Sequence, residues 1–254
     1  MSADFSTQLK SSLRDWWREQ ARARGSVGAA SLLIRDLFGF VRDSTPARRR
    51  SRYGDLDYDW EQRVNTTAGA VDWQTRLLGV FHSPYQPTEP ALFREMMAGP
   101  LIDFREFTFV DIGSGKGRAL LLAAEYPFRK IIGVELIAEL HRAAEENIAA
   151  WRAQSPARST ASIEAFCMDA REFVFPETPL VLYLFNPLPE PGLRQVVRNL
   201  EESWKQVPRQ IWIVYHNPLL GNVLAESVTF VKEAGKSGYS VFRLRSATSR
   251  ADVH

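Results

Sequence analysis

The chain contains one cysteine, Cys167, in 254 residues. An internal disulfide is therefore excluded, and a reducing compartment suits the protein. No apolar run approaches the ~20 residues of a membrane span, so no transmembrane segment is expected. The N-terminus lacks the apolar core of a signal peptide, because acids and arginines interrupt it from Asp4 onward. A cytoplasmic protein is the expectation. Net charge is also scarce. The balance of 32 Lys plus Arg against 30 Asp plus Glu leaves +2, too little to attract nucleic acid through the whole molecule. What imbalance exists is local: residues 1–52 carry a net +6, and the remainder therefore −4. Hydrophobic content of 45% and charged content of 24% are ordinary for a globular chain. The length suits one large α/β domain with an N-terminal extension.

Two common nucleotide-binding patterns are missing as well. The spacing Gly113-x-Gly115-x-Gly117 is one residue too short for G-x-G-x-x-G. The phosphate loop G-x-x-x-x-G-K-[ST] fails at both ends, with Val110 at its first glycine and Gly117 after Lys116. What is present is a different order of parts. An apolar run at 107–112 carries Asp111 near its end. Three glycines follow at alternate positions, then an apolar helical pattern at 119–124, then a second apolar run at 131–134 that ends on Glu135. Strand, glycine loop, helix, strand and acid make a nucleoside-binding βαβ unit. Glycine allows the tight turn and the close approach of a ligand. An acid at the tip of the second strand can accept hydrogen bonds from two ribose hydroxyls.

Upstream, Phe5, Leu9, Leu13, Trp16 and Trp17 recur at helical spacing, which predicts a helix over 4–24 ending at Gly25 and a second over 29–42. Residues 44–52 form a basic linker, open to an acidic partner or simply solvated. Residues 53–60, acidic and aromatic, read as a loop, either part of a substrate mouth or a plain surface loop. Residues 71–81 read as strand or loop. Pro84, Pro87 and Pro90 block regular structure up to residue 90. Thr88 is placed to cap a helix over 91–97 with Pro90 in its first turn. This gives three segments: a helical, basic extension at 1–52, a pre-domain segment at 53–106, and the main domain at 107–254.

Downstream, a helix is expected over 137–153 and a strand over 161–166. The segment Cys167-Met168-Asp169-Ala170 follows, with Cys167 read as a packed small residue. The continuous apolar run 180–185 suits a central buried strand and leads into Asn186-Pro187-Leu188-Pro189. A helix over 190–204 and a strand over 210–215 come next. His216 then stands where ligands bind in an open α/β sheet, as a candidate general base or a structural histidine. A short helix at 219–226 and a hairpin from 227–233 and 239–245 close the pattern. Residues 247–254 read as frayed.

The stretch Asp111-x-Gly113-x-Gly115-x-Gly117 with Glu135 resembles motif I and the ribose-binding acid of the class I S-adenosylmethionine (SAM)-dependent methyltransferases. The resemblance covers 107–245 in strand and helix order. It implies an α/β fold: a Rossmann-like, doubly wound, seven-stranded sheet with a terminal antiparallel hairpin, here with a helical N-terminal extension. It implies SAM as cofactor, with Asp111, Gly113, Gly115, Gly117, Glu135 and Leu136 at its ribose and methionine ends. Asp169 and Ala170 are expected at the adenine, unless Asp169 only caps a turn. The segment from Tyr85 to Thr88 resembles the aromatic-Pro-Thr turn that closes over SAM in non-SET-domain lysine methyltransferases, so Tyr85 and Thr88 are expected to face the cofactor. Asn186-Pro187 resembles the start of the Asn-Pro-Pro-aromatic motif of amide- and base-nitrogen methyltransferases. Here Leu188 and Pro189 replace its second half, so Asn186 is kept as a polar contact to the acceptor, together with His216. A metal-dependent O-methyltransferase would need clustered acids at the ends of the fourth and fifth strands. Residues 180–189 hold none, and no metal is expected. The activity implied is methyl transfer to a nitrogen of a protein side chain or small molecule, with no nucleic-acid partner expected. The competing class is an inactive methyltransferase-fold binding module acting through the basic N-terminus.

Overall fold

The computed structural model describes residues 5–43, 56–67, 87–154, 162–236 and 238–245. The basic run 44–52, the segment 71–81, Tyr85 and the tail 247–254 lie outside the described residues. The chain divides into two compact units. Helix α1 (Phe5–Asp43) and helix α2 (Leu56–Gln62), up to Glu61, fall in the first. Residues 62–66 and everything described from Thr88 onward fall in the second.

In the first unit α1 is two helices across a kink. Gly25 has φ 74 and ψ 163, outside the helical region, so the axis breaks at the residue where the first apolar stripe ends. The loop expected at 53–60 is corrected, because the chain is helical from Leu56. Past Gly54 the segment holds neither glycine nor proline, and Leu, Glu and Gln are adequate helix formers. Its acid is structural: buried Asp59 accepts the Thr67 N–H at 2.8 Å.

The second unit is built on a seven-stranded sheet. Strands β1 (Thr108–Ile112), β2 (Lys130–Glu135), β3 (Ile163–Cys167), β4 (Leu180–Leu184) and β5 (Ile211–His216) run parallel to one another. The hairpin β6 (Phe230–Lys236) and β7 (Tyr239–Leu244) places β7 antiparallel beside β5. The order is β3-β2-β1-β4-β5-β7-β6, the doubly wound sheet with a terminal hairpin that the resemblance implied. β1 and β4 are buried at every residue, as parallel strands covered on both faces must be.

The helices are α3 (Pro90–Met97), α4 (Arg118–Ala123), α5 (Ala138–Ala153), α6 (Glu190–Gln206) and α7 (Gly221–Ala225). On one face α6 presents Leu193, Val196, Val197 and Leu200 to Val110, Ile112, Leu182 and Ile213. Each such burial contributes about 1.5–3 kcal/mol before entropy is counted. On the other face Phe93 of α3 packs against Phe109 and Tyr183 at ring-centroid distances of 5.9 and 5.7 Å.

Two further expectations are corrected. Thr88 does not cap α3. Glu89 stands at the cap without a side-chain bond, and Pro90, which has no N–H, leaves one donor fewer to satisfy. Cys167 is exposed rather than packed, because β3 is an edge strand and extends through it.

Candidate active site

The strand order reverses between β1 and β4, and the crevice at their carboxyl ends is where an open α/β sheet binds ligands. Three devices shape it. The first is close approach. Gly113 has φ 78, and a Cβ there would lie 2.5 Å from Pro187 Cβ. The glycine loop is thus pressed against the turn that follows β4. On β2 a Cβ at Gly133 would meet Ser114 Oγ at 2.9 Å, so the missing side chain lets the loop settle onto the sheet.

The second device is the loop's own hydrogen bonding. Gly113 N and Ser114 N donate to Val134 O at 2.8 and 3.0 Å, and Gly117 N donates to Ser114 O at 2.8 Å. Gly115 N donates to Glu135 Oε2 at 2.8 Å, and Ile137 N to Glu135 Oε1 at 2.8 Å. Four loop N–H groups therefore point inward. A phosphate-binding loop would turn them toward the ligand.

The third device is a pair of buried carboxyls. Glu135 is 6% exposed. Burial raises its pKa, against the lowering by its backbone hydrogen bonds. Its oxygens accept the Gly115 and Ile137 N–H groups, the Leu136 N–H acts on the carboxylate as a third donor, and acceptor capacity remains. Asp111 is 3% exposed, and its carboxyl is pushed well above the usual range, first by burial and then by the charge of Glu135. Among the described residues nothing hydrogen-bonds to it. Such a carboxyl, with a buried Ser114 Oγ that also lacks a partner, fits a site made to meet a cationic group, and the donor set suits SAM.

On the same face of the sheet, register aligns Gly133, Asp111, Tyr183 and Val214 in one row. Phe185 and His216 lie one step above, their rings stacked at 3.8 Å. Tyr183 Oη lies 2.8 Å from Thr88 Oγ1 and 2.9 Å from His216 Nδ1. Burial drops the His216 pKa to about 4, so the ring is neutral at neutral pH and a weak base. Thr88 is thus tied to the carboxyl ends of β4 and β5 through Tyr183, a tyrosine that sequence reasoning missed.

The other expected residues are placed as follows. Asn186 has φ 47 and ties two turns together. Its Nδ2 donates to Asn217 O at 2.6 Å, and its Oδ1 accepts from Tyr215 Oη at 3.0 Å and Leu219 N at 3.3 Å. One N–H of its amide is left for a ligand. Asp169 caps the short 3-10 turn Ala170–Glu172 through Arg171 N at 2.8 Å, and its carboxylate also holds the Arg171 guanidinium at 2.5 Å. Ala170 is buried behind it, and Leu136, at the end of β2, is exposed. Asn147 lies along the apolar side of α5, where sequence reasoning assigned it no role at the site. Its Oδ1 accepts from Asn65 N at 2.7 Å, and its Nδ2 donates to Lys116 O at 3.0 Å, holding the back of the glycine loop. Its only sequence signal is a polar residue in the buried stripe of an amphipathic helix.

The sequence matches no protein-family model and no curated protein. Solved structures to which it is similar include three methyltransferases. A ribosomal protein L11 methylase from Lactobacillus delbrueckii subsp. bulgaricus shares 15% identity over 61% of this chain and 75% of that one, with a TM-score of 0.42. A precorrin-6y C5,15-methyltransferase from Geobacter metallireducens shares 14% over 63% and 89%, with a TM-score of 0.45. An RNA methyltransferase from Salinibacter ruber, in complex with S-adenosyl-L-homocysteine, shares 15% over 62% and 92%, with a TM-score of 0.37. Strand order, the antiparallel seventh strand and the glycine loop with its second-strand acid give this chain the fold of the class I SAM-dependent methyltransferases.

Proposed function

We propose that the chain is a SAM-dependent methyltransferase acting on a nitrogen of a protein side chain or small molecule. The observation that carries the reading is Glu135. Its carboxylate closes the end of β2, holds the glycine loop at Gly115, and keeps acceptor capacity for ribose hydroxyls. The inward-turned N–H groups of the loop argue for a nucleoside without a pyrophosphate, and so against NAD. SAM supplies an activated methyl group on a sulfonium. This chain's residues then have to hold the nucleoside, align the acceptor and exclude water. In the proposal Asp111 and the three glycines meet the methionine end, with Thr88 near it. Asp169 and Ala170 border the adenine, with Leu136 beside them. Asn186, through its remaining N–H, and His216 face the acceptor. A nitrogen acceptor has to be neutral to attack, and a dry crevice favours the neutral amine.

The test is calorimetric titration with SAM, S-adenosylhomocysteine and NAD. Micromolar binding of the first two and none of NAD is expected. Glu135→Ala should weaken SAM binding at least tenfold, about 1.4 kcal/mol. Glu135→Gln, which keeps one acceptor oxygen, should lose less. Unchanged affinity in both variants removes the ribose assignment. A labelled-methyl screen of cell extract, with protein, small-molecule and RNA fractions counted separately, then identifies the acceptor.

A further inference from the structure

The hydrogen-bonded chain Thr88–Tyr183–His216 decides which nitrogen of His216 carries the proton. Thr88 is 3% exposed and Tyr183 1%. Tyr183 Oη has two partners, Thr88 Oγ1 at 2.8 Å and His216 Nδ1 at 2.9 Å, and a single proton to give. Among the described residues Thr88 Oγ1 bonds to nothing else. Consider the two directions. If His216 Nδ1 donated to Tyr183, the tyrosine would donate to Thr88, and the threonine proton would be stranded in the interior. A buried donor left unsatisfied costs about 1–3 kcal/mol. If Thr88 donates to Tyr183 and Tyr183 donates to Nδ1, every proton of the chain is used. The second direction wins. The neutral imidazole must then carry its proton on Nε2, which is not sealed in the interior and has no bond to a described residue. Phe185, stacked on the ring at 3.8 Å, fixes its plane.

We propose that His216 is a neutral N–H donor at the acceptor subsite, held in that tautomer by the positioning residues Tyr183 and Thr88. Its donor selects an acceptor that bears a lone-pair oxygen or nitrogen next to the atom to be methylated. The substrate half rests on the methyltransferase reading; the tautomer half does not. Burial supports the assignment, since it keeps the ring uncharged at neutral pH. The other groups around the chain are Asp111, which shares the row with Tyr183 and acts on it electrostatically, and the aromatic rings of Phe185, Phe93 and Phe109. No cation faces His216 among the described residues.

The experiment is nitrogen NMR on histidine-labelled protein. Four histidines are present, and His216→Gln assigns the signal. At pH 7 the wild type should show a pyridine-like Nδ1 and a protonated Nε2. Tyr183→Phe, which removes the donor and little volume, should shift the ring toward a mixture of tautomers. Thr88→Val should do so more weakly. A ring protonated at Nδ1 overturns the tautomer, and so does a Tyr183→Phe spectrum identical to that of the wild type. For the substrate half, extract methylation should fall about 10²-fold in His216→Phe, the usual loss on removing one aimed donor. It should stay within tenfold in His216→Gln, whose amide presents an N–H in a similar place. Equal loss in both overturns the donor role. Absence of SAM binding by the wild type overturns the substrate half with the reading it rests on, and the NMR still decides the tautomer.

Discussion

At the residue scale the site is a set of polar groups placed where burial penalises them. Asp111 is the clearest. It sits in the row of Gly133 and Tyr183 with the charge of Glu135 nearby, and its pKa is raised by burial. Ionised, it destabilises the protein when no cation faces it. Asp111→Asn should therefore raise Tm at pH 7, by an amount equivalent to about 1–2 kcal/mol, and weaken SAM binding in calorimetry. A lower Tm would mean that the carboxyl is paired in solution. Asp111 and Glu135 were legible in the sequence because each ends an apolar run beside the glycines. Tyr183 was not. In sequence it is one aromatic inside LVLYL, and its partners are 95 residues upstream and 33 downstream. Asp169 had two readings, and its carboxylate is engaged with Arg171 and the turn it caps.

At the scale of elements the β1–α4 loop is the part on which the site depends. It is held from four sides: by Val134 O, by Glu135, by Asn147 at Lys116 O, and by Pro187 against Gly113. Gly113→Ala would combine a positive φ with a Cβ 2.5 Å from Pro187 Cβ. The expected cost is about 2–4 kcal/mol, read as a lower urea midpoint together with lost SAM binding. Retained stability would show that the Asn186–Pro187 turn yields. The alternation of the three glycines was readable in advance, since nothing else explains it in an apolar stretch. The contact that makes the first of them necessary was not, because Pro187 is 74 positions away. The helix at α2 was misread for the opposite reason. Three acids and two aromatics within seven residues look like a surface loop when their packing is unknown.

At the scale of the whole molecule the same buried groups shape stability against pH. The His216 pKa falls from 6.5 to about 4 on folding. Its contribution is present above pH 6.5 and is lost as pH falls toward 4, a change of about 3 kcal/mol. Asp111 and Glu135 have raised pKa values and act in reverse, because the folded state takes up their protons first as pH falls. The two effects oppose each other between pH 6.5 and 4. Asp111→Asn protein should therefore lose stability more steeply than the wild type over that window in urea titrations at pH 7, 5.5 and 4.5. Parallel curves would place the Asp111 carboxyl in contact with water. By itself the sequence determined the order of elements and the loop between β1 and β2, because apolar period, glycine spacing and the acid after the second strand are local facts. It also determined the hairpin that turns the last strand. Only the tertiary structure decided which polar groups meet across the carboxyl ends of β1, β4 and β5, because strand register brings Asp111 beside Tyr183 and Phe185 beside His216, and local pattern carries no information about register between strands.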